Sequence, residues 1–167
     1  EAMRGTFVKL CGCDPTFSEL KKKIYISAFC VNTAQTEYFS VDTHPDMKVI
    51  DAMLMSIAIP FVFSSMKFNG NTYVDGGTME SLPMLPFLDK KPHSVYCVQL
   101  KSRLKYTENI DNMQTFAQMI VCSGFQNRYE YDMSSYDLKT VDVEDMDIFD
   151  FNMSYEDKIR LYMKGTS

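Results

Sequence analysis

Apolar and polar positions change period several times along this chain. Residues 21–32 read KKKIYISAFCVN, a basic run followed by nearly continuous β-prone residues, the pattern of a strand buried on both faces of a sheet. Glu37 to Val41 reads as a short partner strand. From Asp46 the period lengthens. Met47, Ile50, Met53, Leu54, Ile57 and Ala58 recur at helical spacing and Pro60 stops the run, which predicts a helix of about three turns. Met66 to Val74 alternates again around Asn69-Gly70, the signature of a tight type I′ hairpin. Its second arm, Asn71 to Val74, runs into Asp75-Gly76-Gly77. Beyond Pro83 and Pro86, Ser94 to Leu100 reads as a second buried strand. Thr107 to Tyr131 reads as the longest helix, with Ile110, Met113, Ala117, Ile120 and Gly124 on one face. Leu138 to Val143 alternates like an edge strand, and Tyr155 to Lys164 closes as a helix with Gly165 as its C-terminal cap. Strands alternating with helices point to a layered α/β domain.

At 167 residues the chain has room for one domain. A chain of this size buries roughly 70% of the surface its unfolded form exposes, so neither a metal nor disulfides are needed to explain folding. The net charge of -5 argues against a nucleic-acid partner, because phosphate contacts need clustered Lys and Arg. Ten acidic residues between Glu130 and Asp157 face a single lysine before Lys158, Lys139, and read as a solvated surface ill suited to anionic lipid. Lys101, Arg103 and Lys105 alternate, and Lys21 to Lys23 form a run; both read as solvated cations. No stretch reaches the roughly 18 apolar residues of a membrane-spanning helix, so any membrane contact is expected to be peripheral. The five cysteines are odd in number and scattered, which fits reduced thiols and a cytoplasmic location. The chain opens with Glu1 rather than methionine, so something is expected to precede it.

The seven glycines, at 5, 12, 70, 76, 77, 124 and 165, exclude G-x-S-x-G, G-x-G-x-x-G and a phosphate-binding loop. The two histidines, His44 and His93, lie far apart and each beside a proline, and no C-x-x-C pair occurs; a metal site is not expected. A triad of Ser64 or Ser65 with one of these histidines and Asp75 lacks the elbow glycines that expose a nucleophile. Asp75 stands out on its own terms. A carboxylate ending a strand, with two glycines after it that let other backbone approach, is well placed to accept a proton. Asp-Gly-Gly is equally the chemistry of a plain strand-terminal turn.

The order of motifs adds to this. TFSEL (16–20), the strand Ile24 to Asn32, AMLMSIAIPFVF (52–63), GNTYVDGG (70–77) and Leu82-Pro83 together resemble the later part of patatin-like phospholipases, and the likeness runs on more weakly through Tyr96 to Leu100 and Asp150-Phe151. The resemblance implies that residues 1–167 are the C-terminal portion of one patatin-like domain, with a mostly parallel central sheet flanked by helices. It implies a lipid acyl hydrolase, a phospholipase A-type esterase acting on membrane glycerolipid or another fatty-acyl ester. It further implies a serine–aspartate dyad in which Asp75 is the base, Gly76 and Gly77 let the turn sit close to the serine, and no metal or organic cofactor takes part. Pro60 and Phe61-Val62-Phe63 would help wall the acyl pocket, although ordinary core is an equal account of them, and no substrate-binding residue is assigned. The serine elbow and the glycine-rich oxyanion loop belong to the earlier part of such domains. The expectation is therefore that an upstream segment or a partner chain supplies the serine and that this chain alone is inactive. The competing expectation is a non-catalytic patatin-like module kept for lipid binding or assembly.

Overall fold

The β-prone run after Lys23 becomes a central strand because its neighbours in sequence leave it only short ways back. The computed structural model describes residues 2–102, 110–125, 131–144 and 152–166, in two compact units, 1–86 and 87–167.

In the first unit helix α1 (Ala2–Cys11) precedes strands β1 (Ile26–Cys30) and β2 (Gln35–Phe39), helix α2 (Val49–Ser56), and strands β3 (Met66–Phe68) and β4 (Asn71–Asp75). The sheet order is β2-β1-β4-β3 and all three pairings are antiparallel. The expectation of a mostly parallel central sheet is thereby corrected. The four residues 31–34 between β1 and β2 are too few for the crossover that a parallel pair requires, which takes a dozen or so. The same holds for the two residues between β3 and β4, where Asn69 (φ 48°) and Gly70 (φ 81°) both take the left-handed backbone that a type I′ turn demands. The predicted hairpin is in place.

The core of this unit gathers Phe17, Ala28, Cys30, Phe39, Met47, Val49, Ala52, Met55 and Tyr73. Phe39 anchors it, with Tyr73 edge-on at 5.6 Å and Phe68 edge-on at 6.2 Å between ring centroids. α2 lies on β1 and β4 and packs Val49, Ala52 and Met55 into the shared core. It is two turns long rather than three. The residues before Val49 spend their backbone elsewhere: Met47 O accepts from Phe17 N at 3.1 Å and Pro45 O from Ser18 N at 2.9 Å. α1 was not legible in the sequence, where Gly5, Thr6 and Val8 depress helix propensity. It is held by Arg4, which bridges Asp14 at 2.6 Å and also Asp51 on α2.

In the second unit β5 (Tyr96–Ser102) pairs in parallel with β6 (Asp137–Glu144). Helices α3 (Met113–Phe125) and α4 (Tyr155–Thr166) complete it. α4 packs on β6, where Lys164 Nζ donates to Asp142 O at 3.1 Å and Lys139 Nζ to Gly165 O at 3.0 Å. Gly165 does not cap this helix; α4 runs through it to Thr166 with no left-handed residue there. Parts of the predicted Thr107–Tyr131 helix, Arg103 and Lys105 of the cationic stripe, Asp150-Phe151 and much of the acidic run lie outside the described residues. Among the described residues no helix is long and apolar enough to cross a membrane.

The hairpin offers a direct check on this fold. Gly70→Ala forces a Cβ into left-handed backbone and is expected to lower unfolding free energy by about 1 to 2 kcal/mol, read as a reduced urea midpoint with unchanged slope.

Candidate active site

Asp75 is the last residue of β4 and pairs across the sheet with Ala28. Its own N–H leaves the ladder and donates to Ala58 O at 3.0 Å, so the carbonyl just past α2 fixes where the strand stops. From there the chain turns into a single 3-10 turn, Gly76–Thr78, with Asp75 as its N-cap: Gly77 N donates to Asp75 Oδ1 at 2.7 Å. Asp75 Oδ2 has no hydrogen-bond partner among the described residues. The carboxylate is half-buried, and loss of water pushes its pKa above the usual carboxylate range; the Gly77 N–H opposes this and is outweighed. A base with a raised pKa is a better proton acceptor once ionised, which is the direction general-base chemistry favours.

Gly76 is buried because β1 leaves no room beside it. A Cβ at this position would stand 2.8 Å from both Ser27 O and Ser27 Oγ, closer than real Cβ contacts come. The absence of a side chain is what lets the turn after Asp75 lie on β1.

Behind the turn sits Glu80, a buried carboxylate that the spacing of the sequence does not mark. Its N–H donates to Gly76 O at 3.0 Å, its Oε1 accepts Met84 N at 3.2 Å, and its Oε2 accepts the Tyr38 hydroxyl from β2. Glu80 thus ties the far side of the turn to the sheet with both oxygens engaged, as a buried carboxylate requires. Tyr73 on β4 donates to Glu37 Oε2 at 3.0 Å; burial first, and then this acceptor, push its pKa up to about 12, so the phenol stays protonated.

The other sequence candidates are not drawn in. Ser64, Ser65 and His93 are exposed, and among the described residues no hydrogen bond links Ser64 or Ser65 to Asp75. His44 is not a plain surface residue: its ring lies 4.9 Å from that of Phe39 and 5.7 Å from that of Phe68. Cys11, Cys13, Cys30 and Cys97 are free thiols.

A half-buried strand-end carboxylate on a glycine turn has the position and the raised pKa to accept a proton. Residues 14–88, which span β1 to β4 and the whole Asp75 turn, match the patatin-like phospholipase family. The chain is 31% identical over 68 residues to the probable lipid hydrolase 463L of Invertebrate iridescent virus 6, covering 41% of this chain and 23% of that protein. It is 34% identical over 84 residues to the uncharacterized protein R571 of Acanthamoeba polyphaga mimivirus, covering 50% of this chain and 27% of that one. The matches therefore take in about a quarter of these relatives' length. The fold is similar to that of VipD from Legionella pneumophila, with a TM-score of 0.60 at 16% identity over 86% of this chain and 30% of VipD.

Two stability measurements test this geometry. Gly76→Ala is expected to cost about 1 to 3 kcal/mol through overpacking against β1, seen as a lower melting temperature. Asp75→Asn keeps the acceptor for Gly77 N but removes a charge that burial penalises. Because the folded-state pKa is raised, the native carboxyl is best tolerated at acid pH, and its stability contribution is lost as pH rises through that pKa. The variant should melt higher than the parent sequence at neutral pH, and the difference should shrink toward pH ~4, the ordinary carboxylate range.

Proposed function

We propose that this chain contributes the aspartate of a serine–aspartate lipid acyl hydrolase, with Asp75 as general base and the serine supplied by an upstream segment or partner chain outside these 167 residues. The observation that carries the reading is the state of Asp75. It is half-buried and raised in pKa by desolvation, anchored through Oδ1 by Gly77 N, and held in place by the Ala58 carbonyl, within the segment that matches the patatin-like phospholipase family.

The chemistry follows from that arrangement. Asp75 takes the hydroxyl proton as the serine oxygen attacks the ester carbonyl, giving a tetrahedral intermediate. Collapse expels the alcohol or lysolipid, which leaves with that proton, and the acyl group stays on the serine. Asp75 then takes a proton from water, the hydroxide attacks the acyl-serine, and the fatty acid departs as the proton returns to the serine oxygen. Neither step needs a histidine, because desolvation has already shifted the carboxylate toward basicity. The glycine pattern of this chain has no serine elbow, so the chain alone is expected to be inactive. Gly76 seats the turn on β1, and Gly77 serves the close approach of the serine-bearing segment. The substrate is a fatty-acyl ester of the membrane glycerolipid class, met by peripheral contact, and the free thiols support a reducing, cytoplasmic setting.

The test compares the parent protein, its Asp75→Asn form and the 167-residue chain on a nitrophenyl ester and on phospholipid vesicles. Asp75→Asn is expected to lower kcat/KM by about 10² to 10⁴ with folding intact, and the 167-residue chain to show no turnover. The acid limb of the parent's pH profile should fall at an apparent pKa above the usual carboxylate range. Undiminished activity in Asp75→Asn, or turnover by the chain alone, overturns the reading.

A further inference from the structure

The Asp75 turn is fastened to the sheet at two points, and those points are partners in the sheet. Gly76 lies on Ser27 of β1, and Glu80, further along, reaches the Tyr38 hydroxyl of β2. Ser27 and Tyr38 stand directly opposite each other in the register of these two strands. Residues so paired show the same face of the sheet, so one cross-strand pair carries both fastenings. The circuit closes through the turn itself, where Glu80 N donates to Gly76 O at 3.0 Å.

Packing alone does not call for a carboxylate here. Glu80 is 6% exposed, and among the described residues no lysine or arginine pairs with it. An apolar side chain would fill the space without the desolvation that a buried carboxylate costs. What the carboxylate adds is two acceptors aimed in two directions: Oε2 takes the Tyr38 hydroxyl, and Oε1 takes Met84 N at 3.2 Å, on the chain leaving the turn. The turn is gripped from the sheet and from its exit. Asp75 stands at its start with one oxygen on Gly77 N. Burial and that N–H are the two influences on its carboxyl, and no charged residue among those described is a third. The protonation of Asp75 therefore answers to the depth of the turn.

We propose that Glu80 is a positioning residue of the hydrolase: through Tyr38 it holds the Asp75 turn down on β1 and so sets where the base stands. The inference rests on the reading of Asp75 as base and adds what keeps that base at its working depth.

The experiment uses the parent protein. Glu80→Ala releases the turn from both Tyr38 and Met84 N, and kcat is expected to fall about 10- to 100-fold with KM held, the scale on which a small misplacement of a catalytic group acts. Water regained by Asp75 lowers its pKa, so the acid limb of the pH profile should move down toward the ordinary carboxylate range. Tyr38→Phe removes one of the two bonds and should shift kcat and the acid limb in the same directions by less. Glu80→Gln keeps an acceptor for Met84 N and offers an amide to the Tyr38 oxygen, so it should stay close to the parent and separates geometry from charge. In protein labelled with heavy-nitrogen glycine, the amide signal of Gly77 follows the same carboxyl without turnover. Parent kcat and acid limb in a folded Glu80→Ala, or in Tyr38→Phe should Glu80→Ala not fold, overturn the proposal while leaving Asp75 as base. A loss in Glu80→Gln as large as in Glu80→Ala also overturns it, because the charge rather than the grip would then be at work. Should Asp75→Asn leave hydrolysis intact, the base assignment fails instead, and the Gly77 titration alone decides whether Glu80 positions the carboxylate.

Discussion

The close seat of Gly76 on Ser27 is the constraint from which the candidate site follows. With backbone and hydroxyl of Ser27 2.8 Å from where a side chain would begin, the turn after β4 lies flat on the central strand and has one available path. That path lets Asp75 cap its own turn through Gly77 N, puts Gly76 O within reach of both Met79 N and Glu80 N, and swings Glu80 back to meet Tyr38. Were the turn lifted by one methyl group, each of these bonds would have to lengthen together. A steric fact about one glycine thus becomes an electrostatic fact about the neighbouring carboxylate, because the depth of the turn sets how much water Asp75 loses.

Two opposed terms act on that carboxylate. The Gly77 N–H stabilises the anion, and burial destabilises it; burial wins. A carboxylate stabilised by several donors would sit below its usual range and make a poor base, whereas one stripped of water without compensation would not ionise at working pH. A single backbone donor on one oxygen, with the other oxygen left for a partner, lies between these limits. Glu80 shows the contrast within five residues: more deeply buried, but with both oxygens engaged, it holds the turn and has nothing left to offer a reacting proton.

Much of this was legible in the sequence, and the failures are instructive. Asn69-Gly70 encodes its turn locally, since both positive φ values are demanded by the hairpin, and it was read correctly. The strand end at Asp75 and the turn through its glycines are legible because a β-prone run stops there at Asp-Gly-Gly. The mostly parallel sheet that the family resemblance implies does not hold here, because the short links after Cys30 and Phe68 force antiparallel pairing. Gly165 was assigned a cap from composition alone, yet a glycine caps a helix only where the backbone turns left-handed. Glu80 carries no local signal at all, because its partners, Tyr38 and Met84, are set by the tertiary fold.

Gly70 and Phe61 make the sharpest comparison in the molecule. Both stand at a turn position that requires left-handed backbone, at φ 81° and 67°. At Gly70 the turn only has to join two strands, and the residue that meets the geometry at least cost is present. At Phe61 the same geometry is met by a large ring that remains half in water. Strain accepted without a return in burial implies that the return lies in something the folded chain contacts from outside. The nearest chemistry is that of Asp75, whose N–H donates to the Ala58 carbonyl three residues before Phe61.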